Sequence, residues 1–140
     1  MNKPVIISVK GQQVNEYGDV DAQELVTAGS YHLKNGVYFI VYSESEITGM
    51  SGTTTSLKAE PARVTLNRMG TSELKQIFET GIRWRANYIT PFGVIDMAVV
   101  PSKVEVNLTD AGGSINLEYV LEVENDKISD NTLSLTVREA

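Results

Sequence analysis

The chain has 140 residues, of which 41% are hydrophobic and 21% are charged, and its formal net charge is -6. This composition predicts one globular domain over residues 1–140, and the negative charge disfavours nucleic acid and anionic membranes as partners. Because the chain has no cysteine, disulfides, thiolate nucleophiles and zinc–cysteine sites are excluded. With no apolar run of helical membrane-spanning length and no signal-peptide pattern, the expected location is the cytoplasm.

Apolar and polar residues alternate along most of the chain, as half-buried β-strands require. The alternation begins in the first strand segment, and the pair Asn35-Gly36 then predicts a tight type I′ hairpin turn. Residues 45–52 contain Gly49 and Gly52 and are interpreted as a flexible loop. The predicted strand segments are residues 3–13, 23–34, 37–43, 53–60, 63–68, 72–80, 82–88, 94–100, 103–108, 115–123 and 133–137.

Two of these segments carry a mixed signal. In residues 72–80, Leu74, Ile77 and Phe78 fit helical spacing as well as a bulged strand, and the segment is assigned as strand because its neighbours are strands. Residues 94–100 are nearly all apolar, and Pro101 is expected to end that strand because proline cannot donate to a sheet.

About ten strand candidates joined by short turns predict antiparallel neighbours in a meander. Many antiparallel strands in one small domain must protect their edges, and closing the sheet into a barrel does so. The sequence therefore predicts an all-β fold, a small closed antiparallel β-barrel with meander topology.

Several short motifs, taken together in their order and spacing, resemble the YwiB-like family of uncharacterised bacterial proteins. The resemblance implies a calycin-like, lipocalin-like barrel, which agrees with the strand pattern, and it implies no activity, ligand or catalytic residue. The motifs are Tyr42-Ser-Glu44, Ile47-Thr-Gly49-Met50, Thr55-Ser-Leu57-Lys58, Leu66-Asn-Arg68-Met-Gly70, Phe78-Glu-Thr-Gly81, Tyr88-Ile-Thr90-Pro91-Phe92-Gly93 and Gly112-Gly113-Ser-Ile115.

Arg68 shares strand parity with Val64 and Leu66 and is therefore predicted to point into the barrel. A buried guanidinium needs partners, because an unpaired buried charge is costly. The favoured hypothesis is an ion pair with Glu44, which shares parity with Tyr42 on the adjacent hairpin. The alternative is that Arg68 binds an anionic group of a ligand.

Hydroxyl and aromatic side chains supply further candidates. Thr53 and Thr55 alternate toward one face, where their hydroxyls would line a polar cavity; the simpler interpretation is an outer or edge face, since threonine favours strands. The aromatic candidates are expected either to line a ligand pocket or to fill the core, and they are Phe39, Tyr42, Trp84 and Tyr88.

Other chemistry is weakly represented. His32 is the single histidine, so the usual catalytic triads and histidine metal sites lack their parts. The acidic residues Asp19, Asp21 and Glu24 are interpreted as part of a solvated acidic loop, because the spacing of a calcium-binding EF-hand is missing. Arg83 and Arg85 flank Trp84, but their opposite parity and the net charge disfavour a single-stranded nucleic-acid site.

Three functions follow, in order of preference. The first is a module that holds a small amphipathic or apolar molecule inside the barrel, and the second is a packed, non-enzymatic barrel that contacts another protein, including a second copy of itself. The third is an enzyme that uses Glu44 with Arg68. No catalytic residue, metal site or cofactor is assigned. The candidate ligand-binding residues are Tyr42, Glu44, Thr55, Arg68, Trp84 and Tyr88.

Overall fold

The computed structural model of the protein describes residues 2–44 and 50–140. The predicted loop 45–52 lies mostly outside these residues, as does the first part of the motif that starts at Ile47. The strands found in the described residues are β1 (Lys3–Asn15), β2 (Val20–Lys34), β3 (Val37–Ser43), β4 (Thr53–Glu60), β5 (Arg63–Gly70), β6 (Leu74–Phe78), β7 (Trp84–Thr90), β8 (Gly93–Thr109), β9 (Gly112–Val123) and β10 (Asp126–Glu139).

These strands form one antiparallel sheet with the order β6-β5-β4-β3-β2-β1-β10-β9-β8-β7. Strands that follow each other along the chain lie side by side, and β1 pairs with β10 from Val5↔Glu139 to Asn15↔Ser129. The pairing of the two chain ends bends the sheet into a barrel. The predicted all-β antiparallel meander is confirmed.

The barrel is nearly closed, whereas the prediction was a closed one. β6 and β7 are the two edges, and in the described part of the chain their backbones join at a single bridge. There the Glu73 N–H donates to the Ile89 carbonyl at 2.8 Å, and the Ile89 N–H donates to the Glu73 carbonyl at 2.9 Å. The connection after β6 is tied to β8 instead, since the Gly81 N–H donates to the Pro101 carbonyl at 2.9 Å.

The tight turns follow the local sequence. Asn35 and Gly36 have φ values of 53° and 78°, as the predicted type I′ hairpin between β2 and β3 requires. Glu124 and Asn125 adopt φ values of 52° and 72° between β9 and β10, so the same two-residue geometry recurs there.

The expectation that Pro101 ends a strand is wrong. Residues 94–100 and 103–108 belong to one long strand, β8. The register against β9 shifts between Pro101 and Lys103, and at such a bulge the missing N–H of proline costs no ladder hydrogen bond. The doubtful segment 72–80 is confirmed as a strand, although β6 is shorter than predicted.

The two ends of the barrel differ in their packing. The packed end carries the turns at 35–36, 61–62 and 110–111, and the open end carries those at 16–18, 91–92 and 124–125. At the packed end Tyr31 donates its hydroxyl to the Thr109 carbonyl at 2.6 Å and stacks on Tyr38. Fully or almost fully buried side chains fill the barrel interior next to this end. They include Val5, Ile7, Ile40, Val64, Phe78, Ile115, Leu117, Leu135 and Val137.

Two glycines of the barrel test how tightly it is packed. A Cβ at Gly29 would collide with the Ile7 side chain and lie 2.5 Å from the Val41 carbonyl oxygen, whereas a Cβ at Gly11 would meet nothing closer than Leu133 Cδ1 at 3.9 Å. We expect Gly29→Ala to lower the free energy of unfolding by about 1–3 kcal/mol, as overpacking does. Gly11→Ala, the matched control, should leave it unchanged or raise it by up to about 1 kcal/mol.

Urea denaturation followed by circular dichroism measures both changes. Equal midpoints for the two variants would show that the barrel wall at Gly29 relaxes and that the described packing is wrong there.

Candidate functional site

The sheet register places three of the predicted site residues in one inward-facing row. Tyr42 on β3 lies opposite Thr55 on β4, and Thr55 lies opposite Arg68 on β5. The row continues to Leu74 on β6. Tyr42 and Thr55 are buried and Arg68 is half-buried, so strand alternation alone brings a phenol, a hydroxyl and a guanidinium to one wall of the barrel.

Glu44 extends this wall by one inward position. Its backbone N–H donates to the Thr53 carbonyl at 2.8 Å, which holds the residue beside the end of β4. Its carboxylate is buried, with 8% of the residue exposed, and accepts a hydrogen bond from the Thr55 hydroxyl at 2.7 Å. A buried carboxylate needs such a donor, because an unsatisfied charge in the interior is costly.

The predicted ion pair between Glu44 and Arg68 is not formed. The ion pairs of residues 2–44 and 50–140 are exposed or partly exposed, and neither residue takes part in one within 4.0 Å. The carboxylate is engaged by Thr55 instead. The Arg68 Nε atom is buried and has no hydrogen-bond partner in the described part of the chain.

Gln76 is a second buried donor that the sequence interpretation missed. It is 5% exposed, and its Nε2 atom has no hydrogen-bond partner among the described residues. Gln76 shares the inward face of β6 with Leu74 and Phe78, while Ile77 lies on the other face. The period-two alternation of residues 74, 76 and 78 was the signal that could have identified Gln76. Helical spacing grouped Ile77 with Leu74 and Phe78 instead, and so hid this alternation.

Thr53 and Thr55 both face the interior, so the interpretation of this threonine run as an outer face is wrong. Their relative exposures are 1% and 0%. The Thr53 hydroxyl lies 3.0 Å from that of Thr71 and accepts a hydrogen bond from the Ser72 N–H at 3.2 Å. The hydroxyls of Thr53 and Thr55 therefore form hydrogen bonds with neighbouring polar groups on the inner face of the sheet.

A cavity of about 270 Å³ occupies the open-end half of the barrel. Arg68, Leu74 and Gln76 lie on its wall, and Tyr119 and Asn131 line it from other strands. A smaller cavity of about 100 Å³ adjoins it. Residues that line both are Gly11, Gln23, Leu66, Arg68 and Leu133, while Tyr42 and Glu44 line the smaller one.

Two phenols, the buried Tyr42 and the partly buried Tyr119, lie near the guanidinium. Burial raises the pKa of Tyr42, the charge of Glu44 raises it further, and Arg68 lowers it in part. Burial also raises the pKa of Tyr119, and Arg68 again acts in the opposite direction. Both phenols therefore stay neutral at physiological pH, and Arg68 is the positive charge that they share.

The remaining aromatic candidates lie elsewhere. Trp84 donates its indole N–H to the Lys75 carbonyl at 3.1 Å and so sits at the seam between β6 and β7. Tyr88 lines a separate, half-open cavity of about 590 Å³ at the open end, together with the fully exposed Phe92. Phe39 stacks on His32 on the outer face, with ring centroids 4.9 Å apart, so its expected place in the interior is wrong.

Four of the six predicted site residues, Tyr42, Glu44, Thr55 and Arg68, therefore lie together on one wall of the barrel. Trp84 and Tyr88 lie elsewhere.

The described residues contain no group of three or more histidine, aspartate and glutamate side chains close enough to hold a metal ion. The polar groups that line the two cavities are hydrogen-bond donors and acceptors, and they include the Arg68 guanidinium, the Gln76 and Asn131 amides, the Tyr42 and Tyr119 phenols and the Asp21 and Glu44 carboxylates.

A nearly closed meander barrel with a polar cavity at one end defines a small β-barrel protein. Residues 7–135 match the family described as Domain of unknown function (DUF1934). The chain belongs to this family.

Two comparisons with the same relative agree with this assignment. The Bacillus subtilis (strain 168) protein named "Uncharacterized beta-barrel protein YwiB" is 25% identical over 134 residues, which cover 95% of this chain and 92% of the relative. The crystal structure of the ywiB protein from Bacillus subtilis is similar with a TM-score of 0.89 at 22% identity, over 99% of this chain and 93% of that one. The resemblance to the YwiB-like family is confirmed, and the structural likeness shows the shared barrel.

In residues 2–44 and 50–140 no helix combines the length and the apolar character that crossing a membrane requires.

The Thr55–Glu44 hydrogen bond makes a direct prediction. Thr55→Val keeps the shape of the side chain but removes the donor to a buried carboxylate, so we expect the free energy of unfolding to fall by about 1–3 kcal/mol. Thr54→Val is the matched control, because Thr54 lies next along the same strand on the other face and is not fully buried. Chemical denaturation measures both; an equal loss in the two variants would contradict a special role for the Thr55 hydroxyl.

The buried tyrosines predict a loss of stability in alkali. A tyrosine whose folded-state pKa is raised contributes stability that is complete below its unfolded pKa of about 10 and is lost as the pH rises through the folded value. Tyr31, Tyr42 and Tyr119 all have raised pKa values, in each case chiefly through burial. We expect the free energy of unfolding to decline above about pH 10.

Tyr42→Phe should make this decline shallower by up to about 1.4 kcal/mol per pH unit. Tyr17→Phe, which changes a residue that is 82% exposed, should leave the slope as in the wild type. Urea denaturation at a series of pH values, with tyrosinate absorbance recorded in parallel, tests this; an unchanged slope in Tyr42→Phe would refute the burial of that phenol.

Proposed function

We propose that the protein binds a small amphipathic molecule inside the open-end half of its barrel. The observation that carries this proposal is the division of the interior. One half is filled by apolar side chains, while the other contains a cavity of about 270 Å³ with buried polar groups on its wall. Ligand cavities typically start at roughly 300 Å³, so the expected ligand is compact.

The two kinds of wall explain why the ligand is amphipathic. Leu66, Leu121 and Leu133 supply apolar surface, and Arg68 and Gln76 supply donors that lack protein partners among the described residues. A site with a few placed polar groups on an apolar wall is typical of small-molecule binding. This agrees with the calycin-like character that the sequence motifs imply, and it assigns no reaction to Glu44.

Cellular context is proposed from composition. We propose the cytoplasm as the location, since the sequence has no cysteine and cysteine usage follows the redox state of the compartment. Nucleic acid and anionic membranes are not among the proposed partners, because the net charge is -6. The arginines that flank Trp84 are engaged at the surface: Arg83 donates to Glu122, and Arg85 pairs with Asp96.

A protein-binding role is the second candidate, and one surface feature favours it. At the open end Phe92 is fully exposed, Val94 is 63% exposed and Ile89 is 44% exposed. Apolar side chains grouped on a surface often mark a contact with another protein. A second copy of the chain is one partner that such a surface would accept.

Native mass spectrometry of the protein purified from cells tests the ligand-binding proposal. We expect an extra mass on the folded protein that disappears on denaturation. Leu133→Trp should abolish this mass, because the larger ring fills the space shared by both cavities. Val26→Trp, on the outer face of β2 and 58% exposed, is the matched control and should retain the mass.

The contrary result is a folded wild-type protein that carries only its sequence mass. A dimer without extra mass would favour the protein-binding role, and replacement of Phe92 by serine would then be expected to yield the monomer.

A further inference from the structure

Two buried donors without partners share one wall of the interior cavity. They are the Arg68 Nε and the Gln76 Nε2, and both residues line the cavity of about 270 Å³. Guanidinium groups carry donors only, and the amide nitrogen of glutamine is likewise a donor. What these two side chains lack is an acceptor, and an acceptor bound in the cavity that both line would supply it.

The register fixes the relation between the two donors. Leu66 lies opposite Gln76, and Arg68 lies opposite Leu74, so Arg68 and Gln76 are diagonal neighbours on one face of adjacent strands. Diagonal neighbours are roughly 7–8 Å apart at their backbones, which long side chains readily span. One ligand group can receive hydrogen bonds from both side chains.

The charge of Arg68 selects the kind of acceptor. Glu44, the predicted counter-ion, accepts a hydrogen bond from Thr55, and the ion pairs of the described residues do not include one between Glu44 and Arg68. Hydrogen bonds between ionised partners are shorter and stronger than neutral ones, and the guanidinium fork matches a planar carboxylate. An anionic group therefore fits this wall better than a neutral carbonyl.

The surroundings limit the charge and the size of the ligand. The protein carries a net charge of -6, and Asp21 lies on the cavity wall and Glu44 on that of the smaller cavity. Such a field disfavours a multiply charged ligand. The cavity holds the volume of about nine liquid water molecules, which limits the molecule to a small organic acid.

We infer that the interior site binds a compact organic monoanion whose acidic group is held by Arg68 and Gln76. This inference rests on the proposed function and names the chemical class of its ligand. A carboxylate and a singly charged phosphate ester share the required chemistry, and the carboxylate is the better match to one guanidinium and one amide.

Isothermal titration calorimetry on the purified, dialysed protein tests the inference with three probes of nearly equal shape: benzoate, phenyl phosphate and the neutral benzamide. We expect benzoate to bind at least about ten-fold more tightly than benzamide, which corresponds to about 1.4 kcal/mol. Phenyl phosphate is largely a dianion at pH 7, because its second pKa is about 6, so tighter binding of phenyl phosphate than of benzoate would overturn the assignment to a monoanion.

Two variants and one control locate the effect. Arg68→Met should abolish the preference for benzoate, and so should Gln76→Glu, because the new carboxylate offers Arg68 an internal partner. Arg63→Met removes one charge from the same strand at an exposed position, where Arg63 pairs with Glu79, and should retain the preference. Circular dichroism and thermal unfolding establish that each variant is folded.

Equal affinity for benzoate and benzamide, or a preference that survives in folded Arg68→Met, would overturn the anion inference and leave interior binding intact. If no probe binds, the inference also fails. The mass spectra then decide the proposed function separately, since a neutral molecule released on unfolding would support it and bare protein would not.

Discussion

The pairing of the first strand with the last is the constraint on which the structure depends. Without the ladder between β1 and β10, the chain would form two separate sheets, each with its apolar face open to water. Contacts between chain ends require the largest loop closure in the molecule, so they are entropically the most demanding to form. Once they exist, the inward face of every strand is defined, and the alternation of side chains decides what meets in the interior.

That alternation produces a barrel with two unlike halves. Toward the packed end the inward positions are Val, Ile, Leu and Phe, and Tyr31 and Tyr38 cover them. Toward the open end the same positions become Tyr42, Thr55, Arg68, Gln76 and Asn131. The apolar half supplies the free energy that lets the other half keep buried polar groups and unfilled space, since apolar burial is the main favourable term in folding.

Much of the fold could be predicted because strand parity is a local property. β3 and β4 have the predicted bounds, and the parity of Val64 and Leu66 correctly placed Arg68 inside. Features that depend on which strands lie side by side, and in which register, could not be predicted in this way. The bulge that accommodates Pro101 requires the register of β9, and Thr55 takes the carboxylate of Glu44 because the strands are neighbours, which charge alone does not reveal. Gln76 was missed because residues 72–80 fit helical spacing as well as strand spacing, and the helical grouping of Leu74, Ile77 and Phe78 leaves Gln76 out of the apolar face.

The seam between β6 and β7 leaves backbone donors and acceptors of two edge strands without a complete ladder. Exposed edges of this kind invite strands of other chains to add to them, which is a common start of aggregation. Lys75 on one edge and Arg83 and Arg85 beside the other are exposed, and an incoming strand would have to bring opposite charge or strip these side chains of water. Charged side chains at these two edges therefore oppose the addition of another strand at the seam.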